Sequence, residues 1–372
     1  MDPRGAGLSY PLLTCDTYVE NELKRLQRNL SLEKELKQAD QDYFRCIDNF
    51  KDQGVDFSTY NSLSVAHDIE LMRKAAKIKQ WVLFGVSYST MYAQFVANEF
   101  PDSVESMVLD SAVFPNIKGH HNFIARTMAP YRALLNYCET SSECVAPLQD
   151  LEQRIWYLHK RLNQYPLNVT IPHPYEADTL RVLLNGERFL SAIMMGVYGE
   201  KIFEDIPRII NELEAGQYES LVPYLEAYLM YSLDTQYGDI SAEAHFCYED
   251  KAFTDFDLMK QLAHELPAGY IRDTTLLVLN WPDYCDKMQI PPGNSKVATI
   301  KPNDIPMLFV HGELDTITLL NDVLEQKSNY NQSQLVTFPV SHSVLSADVC
   351  AEYTSAEFIA NPTKDKIQLS CF

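Results

Sequence analysis

The most informative stretch of the chain alternates between apolar runs and amphipathic segments. Trp81-Val82-Leu83-Phe84 is a short apolar run ending at Gly85, the pattern of a buried parallel strand. Before it, Tyr60-Asn61-Ser62 offers a helix N-cap and 66–76 reads as the helix that follows. After it, 88–100 reads as a helix stopped by Pro101, and 104–109 as the next strand. Strand–helix–strand alternation of this kind predicts an α/β sheet.

That pattern then stops. From Phe123 to about Leu266 the spacing is mostly that of amphipathic helices, for example over 151–162, 187–197 and 221–233. Their Tyr, Met and Leu stripes fit core packing. Strand character returns at 305–310 and 335–338, and a closing helix is predicted over 347–359. Near the start, 18–40 is charged and helix-prone, with Leu23, Leu26, Leu30, Leu32 and Leu36 spaced for one buried face. The division is therefore 1–112, a partial α/β core; 113–300, a helical insertion; and 301–372, the rest of the core.

Candidate chemistry sits at the strand ends. Gly85-Val86-Ser87-Tyr88-Ser89 lies between a predicted strand and a predicted helix. A sharp turn there strains the serine and lifts its hydroxyl above the sheet. Small residues two before and two after it let strand and helix approach closely; Ser89 replaces the usual glycine. The helix N-terminus behind Ser87 supplies peptide N–H groups, that of Tyr88 first, for a developing oxyanion. A serine hydroxyl needs a base, and the base needs an orienting group. Asp315 follows the strand ending at Val310, and His342 follows the one ending at Phe338. The order Ser, acid, His at successive strand ends is that of the α/β-hydrolase fold. Ser87 as nucleophile, His342 as base and Asp315 as its orienting carboxylate form the expected triad.

Composition narrows the setting. With 51 acidic against 31 basic residues the net charge is −20, so nucleic acid and anionic membrane surfaces are poor partners. No apolar run reaches the ~20 residues of a membrane span, and Met1-Asp2-Pro3-Arg4-Gly5 is unlike a signal peptide. No phosphate-cradling glycine loop or zinc-spaced Cys/His cluster occurs, so no cofactor and no metal are expected. The 8 cysteines fall into neighbouring pairs, Cys15/Cys46, Cys138/Cys144, Cys247/Cys285 and Cys350/Cys371. Disulfides along those pairs, and hence an oxidising compartment, are expected.

Beyond these features the sequence resembles the tripeptidyl-aminopeptidase-like branch of the prolyl aminopeptidase family, secreted α/β-hydrolases that act on peptide N-termini. The resemblance covers most of the chain. It runs through Arg4-Gly5-Ala6-Gly7-Leu8-Ser9, Tyr60-Asn61-Ser62, the segment around Ser87 and Val108-Leu109-Asp110. It is most specific at Gly312-Glu313-Leu314-Asp315, His342, Cys350-Ala351, Pro362-Thr363 and Ser370-Cys371. The resemblance implies that the helical insertion is a lid over the substrate. It also implies that acids in Cys247-Tyr248-Glu249-Asp250 hold the α-ammonium of a peptide with a free N-terminus. Relatives carry further strands and a His-Gly-Gly-Pro-Gly oxyanion loop before the point that matches Met1. Without them an unpaired sheet edge and a weakened oxyanion site are expected. An esterase with the same triad, or a non-catalytic scaffold retaining the fold, stays open as an alternative.

Overall fold

A computed structural model describes residues 1–140, 151–279, 284–363 and 367. In chain order the helices α1 (Asp16–Arg25), α2 (Leu32–Asp52) and α3 (Ser62–Ala75) lead to β1 (Trp81–Val86). Then come α4 (Ser89–Glu99) and β2 (Val104–Asp110). The insertion comprises α5 (Phe123–Thr140), α6 (Leu151–Gln164), β3 (Leu167–Pro172), β4 (Thr179–Leu184), α7 (Gly186–Gly196), α8 (Lys201–Glu214), α9 (Val222–Ser232) and α10 (Asp239–Glu249). It continues through α11 (Phe256–Ala263), α12 (Tyr270–Val278) and α13 (Tyr284–Met288). The chain returns to the core with β5 (Met307–Gly312), α14 (Leu320–Gln326), β6 (Ser333–Phe338), α15 (Val344–Ala347) and α16 (Val349–Ala360).

β1, β2, β5 and β6 form a parallel four-stranded sheet in that order. Its central strands carry continuous apolar runs, Met107–Leu109 in β2 and Met307–Val310 in β5, because both faces are covered there. Met107 and Leu109 of β2 and Met307 and Phe309 of β5 pack with Met91, Phe95 and Val96 of α4. The alternate residues Val108, Leu308 and Val310 pack with Ala351 and Phe358 of α16. β1 departs from the expected buried strand. Among the described residues it pairs only with β2, and Val82 and Phe84, on the face that α16 covers further along, are 37% and 54% exposed. The unpaired edge expected from the sequence is therefore this strand.

The lid is helical as the spacing predicts, but it also contains an antiparallel hairpin, β3 with β4. Val169, Ile171, Val182 and Leu184 turn inward from it and pack with Phe189, Ile206, Ile210 and Leu225. The charged, helix-prone segment 18–40 falls in two helices, α1 and α2, separated at 26–31. Both reach the lid: the Leu183 N–H donates to the Leu26 carbonyl, and the Arg188 guanidinium bonds the Arg25 and Arg28 carbonyls and Glu35. Disulfides Cys15–Cys46 and Cys247–Cys285, with Cα atoms 5.6 and 5.2 Å apart, fix α2 and α13 to these segments. Cys144 and Cys371, and with them the other two expected pairings, lie outside the described residues.

Candidate active site

Ser87 sits in the left-handed region, φ 54°, directly after β1. Non-glycine residues rarely adopt this conformation, and here it is over-determined by its neighbours. The Ser87 N–H donates to the Asp110 carbonyl across the strand ends at 2.9 Å. Gly85 is obligatory: a Cβ there would meet the Thr90 nitrogen at 2.9 Å and the Ser89 carbonyl at 3.0 Å. Ser89, where a glycine is usual, braces the turn. Its hydroxyl accepts from the Val86 N–H and donates to the Val86 carbonyl, both at 2.8 Å.

Asp315 and His342 come together at the far end of the same sheet edge. The Glu313 and Leu314 N–H groups donate to the Phe338 and Val340 carbonyls, which holds the two loops side by side. The His342 Nδ1 lies 2.9 Å from the Asp315 Oδ2, and both side chains are shielded from solvent. A carboxylate only accepts, so Nδ1 carries a proton, and in the neutral imidazole Nε2 is the nitrogen free to accept one. Asp315 also accepts from the Thr318 hydroxyl at 2.6 Å and from the N–H groups of Ile317 and Thr318. Burial pushes its pKa up, but the hydrogen bonds from His342 and Thr318 outweigh that and hold it below the ordinary value.

Two features that the sequence reading did not assign position this histidine. The first is Asp110, wholly buried at the end of β2. Its carboxylate accepts the N–H groups of Val344 and Leu345 at 3.0 and 2.9 Å, while the neighbouring Ser111 hydroxyl accepts that of Ser343. The second is the turn after α7. The His342 N–H donates to the Tyr198 carbonyl, the Ser341 hydroxyl donates to that of Val197, and the Tyr198 ring stands edge-on to the imidazole at 5.3 Å. A carboxylate closing a run of apolar strand residues was the one legible hint of the first; nothing in the sequence marks the second.

The acids of the Cys247 segment lie next to the elbow, but in company. Glu249 has no exposed surface, and its carboxylate accepts the Ser62 N–H, the Ser62 hydroxyl at 3.0 Å and the Tyr88 hydroxyl at 3.1 Å. Burial pushes its pKa up to about 7. Asp250 is part-exposed, and its Oδ1 pairs at 3.1 Å with the buried Lys118, whose ammonium also bonds the Glu249 carbonyl. The expected free pair of carboxylates is thus one fully engaged acid and one half-engaged acid. Among the described residues no group of three or more potential ligands could hold a metal ion, and no helix is long and apolar enough to cross a membrane.

The sequence is similar to the serine protease Hip1 of Mycobacterium tuberculosis and Mycobacterium bovis, 24% identical over 97% of this chain and 72% of theirs. It is also similar to the putative hydrolase YuaR of Escherichia coli, 27% identical over 48% of this chain and 36% of that protein. A thermophilic esterase from Thermogutta terrifontis superposes with a TM-score of 0.33 at 13% identity, over 82% of this chain and 74% of the esterase. The family profile for the alpha/beta hydrolase fold matches residues 1–345, and the chain belongs to that family.

Proposed function

We propose that this protein is a serine hydrolase acting on peptides with a free N-terminus through an acyl-enzyme. The observation that carries the reading is the Asp315–His342 pair, which turns Nδ1 to the carboxylate and leaves Nε2 for the proton transfer, with the His342 loop tied through Asp110 to the turn bearing Ser87. In this scheme His342 takes the Ser87 proton as the hydroxyl oxygen attacks the scissile carbonyl. The Tyr88 N–H at the start of α4 receives the oxyanion. His342 then returns the proton to the departing amine, and water, activated by the same nitrogen, frees the acyl group.

The peptide specificity is supported by the resemblance of the terminal block to the tripeptidyl-aminopeptidase-like branch and by similarity to a serine protease across nearly the whole chain. Asp250 keeps solvent-facing surface and one oxygen that Lys118 does not occupy, so this reading offers it to the substrate's ammonium. The two disulfides favour an oxidising, extracytoplasmic setting.

A fluorophosphonate probe tests the nucleophile: wild type should be labelled and Ser87→Ala should not. Matched peptides with free and acetylated N-termini test the substrate class. Preference for the free amine, weakened by Asp250→Asn through KM, is expected; faster cleavage of acetylated peptides or simple esters would point to an esterase. No labelling at all would leave a binding role for the fold.

A further inference from the structure

Glu249 closes α10 on the lid side, yet its carboxylate reaches no lid residue; all three of its donors lie in Ser62 and Tyr88. Ser62 opens α3. Tyr88 immediately follows Ser87 and precedes α4. The two hydroxyls also lie 3.3 Å apart, which closes a small ring of hydrogen bonds around the acid. We infer that Glu249 is a positioning residue for the chemical step: by clamping the Tyr88 hydroxyl it sets the direction of the Tyr88 peptide N–H that receives the oxyanion.

The reasoning is mechanical. The hydroxyl is the far end of a rigid ring with only two rotatable bonds between it and the backbone, so fixing the hydroxyl narrows the backbone positions Tyr88 can take. The Ser87–Tyr88 turn is strained and needs such restraint to hold an oxyanion donor within a few tenths of an ångström. The clamp itself is well anchored. The Cys247–Cys285 disulfide holds α10 two residues earlier, and the Lys118 ammonium bonds the Glu249 carbonyl at 3.0 Å. Lid position is thereby coupled to the elbow, because α10 cannot shift without moving the acid.

The clamp also has a polarity in pH. Ionised, the carboxylate accepts all three donors. Protonated, it carries a hydrogen against donors, one of which, the Ser62 N–H, cannot accept. The surrounding titratable groups are Tyr88 just before α4, Tyr92 within it, Asp250 beside the acid, Lys118 at its carbonyl, and His245 one turn earlier. His245 is kept neutral because burial pushes its pKa down to about 4. With burial lifting the Glu249 pKa to about 7, the clamp tightens as pH rises through neutrality.

This inference rests on Ser87 and Tyr88 acting as proposed above. The test uses the full chain with Glu249→Gln, Tyr88→Phe and the double variant, assayed on a free-amine peptide and on a neutral p-nitrophenyl ester. Each single change should lower kcat about tenfold on both substrates, with KM little altered. The double variant should be no worse than either single, since the two residues act through one bond. The acid limb of log kcat against pH should be steeper than one proton in wild type and fall to one in Glu249→Gln. A rise in KM confined to the free-amine peptide, additive losses, or an unchanged limb would overturn it while fluorophosphonate labelling of Ser87 stands. An unlabelled wild type would overturn the nucleophile assignment and this inference with it.

Discussion

Ser87 and Asp110 are joined by a 2.9 Å hydrogen bond from the serine N–H to the aspartate carbonyl, and the aspartate side chain holds the loop that follows His342. One residue at the end of β2 therefore holds both the turn at Ser87 and the loop that follows His342. Asp110→Ala would leave the Val344 and Leu345 N–H groups without an acceptor, at a cost of about 1–3 kcal/mol each. A lower Tm is expected, together with a loss of turnover at temperatures where the variant is still fully folded. Full activity in the folded variant would contradict the hub role of Asp110.

The proposed triad makes a steeper claim. Ser87→Ala and His342→Ala should each reduce kcat by roughly 10⁶, and Asp315→Asn by roughly 10⁴ through the wrong imidazole tautomer. Initial rates on a chromogenic ester, with circular dichroism to confirm folding, decide it. Ordinary rates in either alanine variant would end the assignment.

Stability should peak on the acid side of neutrality. Burial raises Glu35, Glu243 and Glu249 to about 7 and Asp239 to about 6. A carboxyl whose folded pKa lies above its unfolded value stabilises the fold below the unfolded value of about 4.5, and that contribution is lost as pH rises through 6 to 7. Glu70, held near 2 by the Arg73 guanidinium, acts oppositely and withdraws its support only as pH falls below about 4.5. Thermal melts should therefore give the highest Tm near pH 4.5, with a decline as pH rises to about 7 and little further change above it. Replacing the three glutamates by glutamine should flatten that decline; a Tm still climbing at pH 8 would be the contrary result.

Gly312, at the end of β5 between the acid and base loops, has no room for a side chain. A Cβ there would run into the carbonyls of Ser341 and Val340, the two residues before His342. Gly312→Ala should cost about 1–3 kcal/mol of stability and displace the imidazole. A loss of activity at temperatures far below the melt distinguishes displacement from simple unfolding.

Much of this was legible in advance. Ser87, Asp315 and His342 stand out as candidates because the reaction demands such groups at strand ends in a fixed order, and β2 and β5 because short apolar runs between turn signals have few other readings. β1 shows where that logic stops: Trp81-Val82-Leu83-Phe84 is the same apolar string whether one or two strands flank it. The β3–β4 hairpin did carry a period-two signal in Leu167, Val169 and Ile171, but the stronger helical spacing on either side obscured it. Glu249 was visible as an acid near the lid. Its burial against Tyr88 depends on residues 161 positions apart and could only be seen once the chain had folded.

The strand that leads into Ser87 is also a rim of the sheet among the described residues, and Phe84 on it is 54% exposed. Such a rim is adhesive: any extended polypeptide can dock along it and extend the ladder, whether a foreign segment or a second molecule of this protein. Docking there would stiffen the base of the turn at Ser87, so the concentration of the protein itself becomes a variable that enzymology on it must control.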